Sequence, residues 1–139
     1  MPLSSLARRS FVLSLATLGM AALPSPLRAL RSLRPRGPHP TPRPGIDASR
    51  VLPASELLGV HVLLAFNAVR GIPQVVDGIR CHCGCADAEG FYSLLSCYEG
   101  HGMAQYCEIC QGEGLLARRL HDAGKSLDEI RAAIDVRFG

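Results

Sequence analysis

Six cysteines are the residues of this chain best able to do chemistry, and all six fall between positions 81 and 110. They read Cys81-His82-Cys83-Gly84-Cys85, then Cys97 after eleven residues, then Cys107-Glu108-Ile109-Cys110 after nine more. His101 and Met103 lie between the last two groups. Thiols used only as small hydrophobes would be scattered through the apolar stretches. This clustering points to chemistry. Thiolates are soft ligands suited to zinc, copper(I) or an iron–sulfur cluster. A tight loop at Gly84 turns several sulfurs toward one point, and Cys107 and Cys110 at a helix start present two more. Four thiolates in tetrahedral array make a closed zinc site. Six thiols plus His101 exceed that need, which favours several copper(I) or zinc ions, or one site with spare ligands. His101 and Met103 also suit copper(I).

Two other chemistries compete. Six cysteines in an exported chain invite a disulfide framework. Neighbours at i and i+2 pair poorly, so Cys81, Cys83 and Cys85 would each join one of Cys97, Cys107 and Cys110. Cys107-x-x-Cys110 also has the spacing that lowers a thiol pKa in redox proteins. The βαβ context of thioredoxin-like folds is missing. Gln111 stands where a c-type haem motif needs His. Metal binding is the favoured reading of the spacing, and the other two stay open.

The segments before the cysteines decide where this chemistry takes place. Ala7-Arg8-Arg9-Ser10-Phe11-Val12-Leu13 resembles the twin-arginine export signal, and Phe11 to Leu23 carries no charge. That run is short for a membrane span, which needs about 20 apolar residues, and fits the apolar region of a signal peptide. The expectation is a signal peptide over 1–22, with an uncleaved membrane anchor as the alternative. The resemblance implies export of a protein already folded in the reducing cytoplasm. A metal permits such folding, whereas a disulfide framework does not. The expected location is the periplasm or cell surface.

Residues 23–48 form a Pro- and Arg-rich stretch that predicts an extended, solvated linker, with His39 as a solvated histidine within it. All seven charges before residue 45 are arginines. From Gly45 onward eight Lys or Arg face twelve Asp or Glu, a net of −4, so the whole chain's +3 belongs to the leader and linker. Nucleic-acid binding needs a basic stripe interleaved with aromatics. The folded part offers neither.

The domain over 49–139 reads as all-α, a small bundle of about four short helices around a cysteine-rich loop. Leu57, Val60, His61, Leu64 and Ala68 predict a first helix with that face buried and His61 as a core histidine. Gly71 ends it, and Pro73 suits the start of a short turn of helix. Glu89 to Tyr98 predicts another helix carrying Cys97. Cys107 to Ala123 predicts a third, buried through Leu115, Leu116 and Leu120 and closed by Gly124. Ser126-Leu127-Asp128-Glu129 is a capping box. It opens a last helix lined by Leu127, Ile130, Ile134 and Phe138. Tyr92, Tyr98 and Tyr106 are expected to pack over the cysteine site. Asp122, Asp128, Glu129, Asp135 and His121 read as solvated faces and caps.

From Ser55 to Phe138 the chain resembles the bacterial exported or lipoprotein family named for its PCYCGC motif, also described as CYCXC (seleno)proteins. Cys81, Cys83, Gly84 and Cys85 fit the motif. Cys97, His101, Cys107 and Cys110 are similar to its downstream Cys, His and C-x-x-C positions. Arg80 replaces the motif's Pro, and His82 replaces its Tyr and offers a nitrogen ligand. The family is described by its motif rather than by an activity. Selenium-containing members imply a reactive or metal-ligating position rather than an inert disulfide.

The expected function is soft-metal binding, with zinc or copper(I), by Cys81, Cys83, Cys85, Cys97, His101, Cys107 and Cys110. The runner-up is a thiol redox protein using Cys107 and Cys110. The expected partners are the metal ion and a redox or metal-delivery protein. No nucleic acid is expected, and a membrane only through an uncleaved signal.

Overall fold

The computed structural model describes residues 37–139. The expected signal peptide and the first part of the linker lie outside the described residues. Among the described residues, two short 3-10 turns precede α1 (Val60–Arg70) and α2 (Pro73–Asp77), and three more precede α3 (Glu108–Asp122) and α4 (Leu127–Phe138). No strand occurs among the described residues, as the sequence predicts. No helix among them is long and apolar enough to cross a membrane.

Helix α3 is central, with α1 packed on one side and α4 on the other. Cys110, Glu113, Gly114, Leu116 and Ala117 form its buried stripe. Leu115, expected inside, is exposed, because the stripe centres on Cys110 and lies about one residue around the helix from the predicted face. A Cβ added at Gly114 would collide with the Tyr98 hydroxyl, and it would stand 2.8 Å from Val69 Cγ2. Glycine here therefore sets how closely α3 approaches α1.

The predicted face of α1 is a correction. Val62, Ala65, Phe66 and Val69 are buried, whereas His61, Val60 and Leu64 face outward, the last two 78% and 66% exposed. Two apolar stripes compete on this helix. Phe66 wins because its ring meets Tyr98 edge-on, with centroids 4.7 Å apart, and a buried aromatic contributes more than an aliphatic at the rim. His61 is accordingly a surface residue. The Pro73 start of α2 is as predicted. The helix expected over 89–98 is instead a 3-10 turn, Leu94–Tyr98, preceded by extended Ser93. The capping box at Ser126 and Glu129 forms as read from sequence, and Gly124 takes a φ of +75° just beyond α3. Ile130 and Ile134 are fully buried under it.

The expectation of a solvated linker does not hold for residues 37–48. Ile46 is buried and Gln74 donates to its carbonyl at 2.7 Å. Arg131 donates to the Pro40 carbonyl at 2.8 Å. The Tyr92 hydroxyl donates to the Thr41 carbonyl. Arg43 reaches the fully buried Asp77, its backbone N–H donating at 2.7 Å and its Nη2 at 2.6 Å. Ser93 donates to the same carboxylate at 2.8 Å. Prolines keep this strap extended, and side chains of the domain supply the hydrogen bonds it cannot make internally.

Burial alone pushes the Asp77 carboxyl up. The hydrogen bonds from Arg43 and Ser93 outweigh it and hold the group below its ordinary range. A depressed carboxyl contributes stability above its unfolded pKa of about 3.9 and loses it as pH falls through the folded value. Arg43→Ala removes the guanidinium and leaves the buried Asp77 with only Ser93 and the backbone N–H of residue 43 as donors. It should cost about 3 kcal/mol at pH 7 in chemical denaturation of the metal-free protein, and the difference from wild type should narrow in acid. Gly114→Ala should destabilise by about 1–3 kcal/mol, because overpacking outweighs the gain in helix propensity.

Candidate metal centre

The Cys81–Cys85 loop follows directly from α2. Gly84 takes a left-handed φ of +101°, open to nonglycine residues only with strain, and Cys85 begins a 3-10 turn. This reversal folds the loop back so that Cys81, Cys83 and Cys85 aim inward. Cys97 enters from the 94–98 turn, anchored where the Leu94 N–H donates to the Ile79 carbonyl at 2.7 Å. Cys110 enters from the first turn of α3. The Tyr98 hydroxyl donates to the Cys110 carbonyl at 2.7 Å, tying these last two elements together.

The sulfurs of Cys81, Cys83, Cys85, Cys97 and Cys110 all lie within 4.8 Å of one another. Nearest neighbours are Cys83–Cys85 and Cys85–Cys97 at 3.1 Å, then Cys81–Cys83 at 3.3 Å and Cys81–Cys110 at 3.5 Å. All six cysteines are free thiols, and these separations are well beyond the ~2.05 Å of a disulfide. Four thiolates ~2.3 Å from a tetrahedral zinc stand about 3.8 Å apart. The observed span brackets that value, so the five thiols could bind a metal ion.

Two expected ligands lie elsewhere. Cys107 is the residue before α3, and its sulfur accepts from the Cys110 N–H at 3.5 Å. It caps the helix and stays outside the cluster. His101 is exposed and absent from the cluster, because the left-handed Gly100 and Gly102 carry it around an outer turn. Of the three tyrosines, only Tyr98 packs at the site. Tyr92 and Tyr106 are exposed.

The thiols influence one another. Cys81 is held far above the ordinary thiol range by its interactions with Cys110 and Cys85. Burial is the main reason that Cys83 is raised. Cys85 is pushed the other way, below the ordinary thiol range, by its interactions with Cys110, Cys81 and Cys97.

The sequence reading missed the groups beneath the loop. His82 sits between two carboxylates. Its backbone N–H donates to Glu113 Oε1 at 2.9 Å, its Nδ1 is 2.6 Å from the same oxygen, and its Nε2 is 2.9 Å from Asp135 Oδ1. Hydrogen bonding to Glu113, aided by Asp135, raises the His82 pKa despite burial. His39 is no solvated linker residue. Its Nδ1 accepts from the Arg80 N–H at 3.0 Å, so its Nε2 carries the proton and donates to Asp135 Oδ1 at 3.2 Å. Asp135, read as a solvated face, is a hub. Glu113 is fully buried, and its Oε2 has no hydrogen-bond partner. One signal was legible: Glu113 follows Cys110 by three residues, which places an acid on the same helical face as a buried thiol.

Comparison with family profiles, with curated proteins and with solved structures returns no match. The functional reading therefore rests on the site itself.

Proposed function

We propose that this chain is an exported soft-metal-binding protein that holds zinc or copper(I) on Cys81, Cys83, Cys85, Cys97 and Cys110. One observation carries the reading: five thiols from three separate chain segments meet within 4.8 Å. Bringing that many sulfurs together sacrifices better packing residues, and a core gains nothing from it that aliphatics would not supply. The donor set is all sulfur, which suits zinc and copper(I) and disfavours harder cations. Five sulfurs exceed the four of a closed zinc site, which favours a copper(I) cluster or an exchangeable zinc. Cys81, Cys97 and Cys110 are buried while Cys83 and Cys85 are half-buried. The loop edge is therefore the side on which an ion enters and leaves, as a carrier or store requires. The leader with Arg8 and Arg9 supports the exported location, and the Cys-x-Cys-Gly-Cys run supports kinship with the PCYCGC-motif proteins. The thiol redox alternative depends on Cys107 and Cys110 as a pair. Cys110 instead turns its sulfur to Cys81 and Cys83, 3.5 Å from each, which weighs against that pairing.

Elemental analysis and free-thiol titration of full-length protein recovered after export test the reading. Zinc or copper should co-purify. Cys97→Ser and Cys110→Ser should each release it, and Cys107→Ser and His101→Ala should retain it. Metal-free protein with its cysteines paired as disulfides would overturn the proposal. Loss of metal in Cys107→Ser equal to that in Cys110→Ser would overturn the assignment of ligands.

A further inference from the structure

The two backbone amides that flank Cys81 are both held by groups from distant parts of the chain. On one side the Arg80 N–H donates to His39 Nδ1 at 3.0 Å. On the other the His82 N–H donates to Glu113 Oε1 at 2.9 Å. Asp135 joins the two halves, because its Oδ1 lies 3.2 Å from His39 Nε2 and 2.9 Å from His82 Nε2. The strap, the cysteine loop, α3 and α4 each contribute one member. Glu113 is fully buried and sits one turn beyond Cys110.

We propose that Glu113, acting through His82 and supported by Asp135 and His39, is a positioning residue that sets Cys81 and Cys83 against Cys110 for metal binding. The inference rests on the metal reading above. A carboxylate desolvated to this degree is costly unless it is well bonded, and here the hydrogen bonds of Glu113 Oε1 both come from the one residue that separates Cys81 from Cys83. A loop with a left-handed glycine has many conformations, and ordering it at the moment of binding would subtract from affinity. Anchoring both neighbours of Cys81 removes that cost in advance. Partners that orient metal ligands in this way typically contribute 10–100-fold to affinity.

The isosteric variant separates positioning from charge. Glu113→Gln keeps an oxygen for the His82 N–H and Nδ1–H, and places its amide nitrogen where Oε2 makes no bond. Affinities for Zn(II) and for Cu(I), each added alone to the reduced full-length protein, are measured by competition with a chromogenic chelator. Glu113→Ala should bind about 10–100-fold more weakly than wild type, and Glu113→Gln should stay within about threefold of it. Val62→Ala, a core truncation in α1 away from the site, should lower the melting temperature without weakening binding. Iodoacetamide labelling of the metal-free proteins, read by mass spectrometry, supplies a second readout: Cys81 should react faster in Glu113→Ala than in wild type or Glu113→Gln. Equal affinity and equal Cys81 labelling in Glu113→Ala and wild type overturn the clamp. A Glu113→Gln variant as weak as Glu113→Ala also overturns it, and assigns Glu113 a direct charge or ligand role. If wild type binds neither metal, the metal reading itself fails, and the clamp fails with it. Should Glu113→Ala not fold, as circular dichroism would show, His39→Ala takes its place with the same expectations for binding and labelling.

Discussion

Thiols buried within 4.8 Å of one another can lose their protons together only if positive charge takes the protons' place. Like charges at such distances in a poorly hydrated site repel strongly, so successive ionisations become harder. Protons are one solution to this constraint: the interactions among the thiols shift Cys85 toward the thiolate and Cys81, Cys97 and Cys110 toward the protonated form. A soft cation is the other solution. On the proposed reading the cluster exchanges one for the other, protons for metal, and uptake depends on pH.

The fold holds the sulfurs from several directions. Helix α3 delivers Cys110 and is fixed by its glycine contact with α1 and Tyr98. The 94–98 turn delivers Cys97 and is fixed by Leu94 and Tyr98. The loop after α2 has little structure of its own, and it takes its shape from Gly84 and from bonds made by its neighbours. The strap is part of the same design. It stays with the domain through Arg43 and Asp77, and it carries His39 to the Arg80 amide. The apparent linker before the domain is thus structural from residue 37 onward.

Much of this architecture was legible in the sequence, for local reasons. The Ser126 capping box, the Pro73 start and the Gly124 stop each depend on a few adjacent residues, and each is found where expected. Five of the six cysteines expected to converge do so, because close spacing around Gly84 restricts where the sulfurs can point. The failures are those in which a distant partner decides. The apolar stripe through Val60 and Leu64 is as regular as the one through Val62 and Phe66, and only Tyr98 selects between them. Cys107 has ligand spacing, but the free N–H of Cys110 claims its sulfur as a cap. Asp135 and His39 are 96 positions apart, and no periodicity links them. His82, a candidate nitrogen ligand by position, turns instead toward two carboxylates.

X-ray absorption at the edge of whichever metal co-purifies tests the central claim most directly. If the five converging thiols form the site, the first coordination shell should contain sulfur alone, at about 2.3 Å for zinc. A shell with nitrogen or oxygen at about 2.0–2.1 Å would contradict it, because it would place the metal on imidazole, carboxylate or water rather than within the thiol cluster.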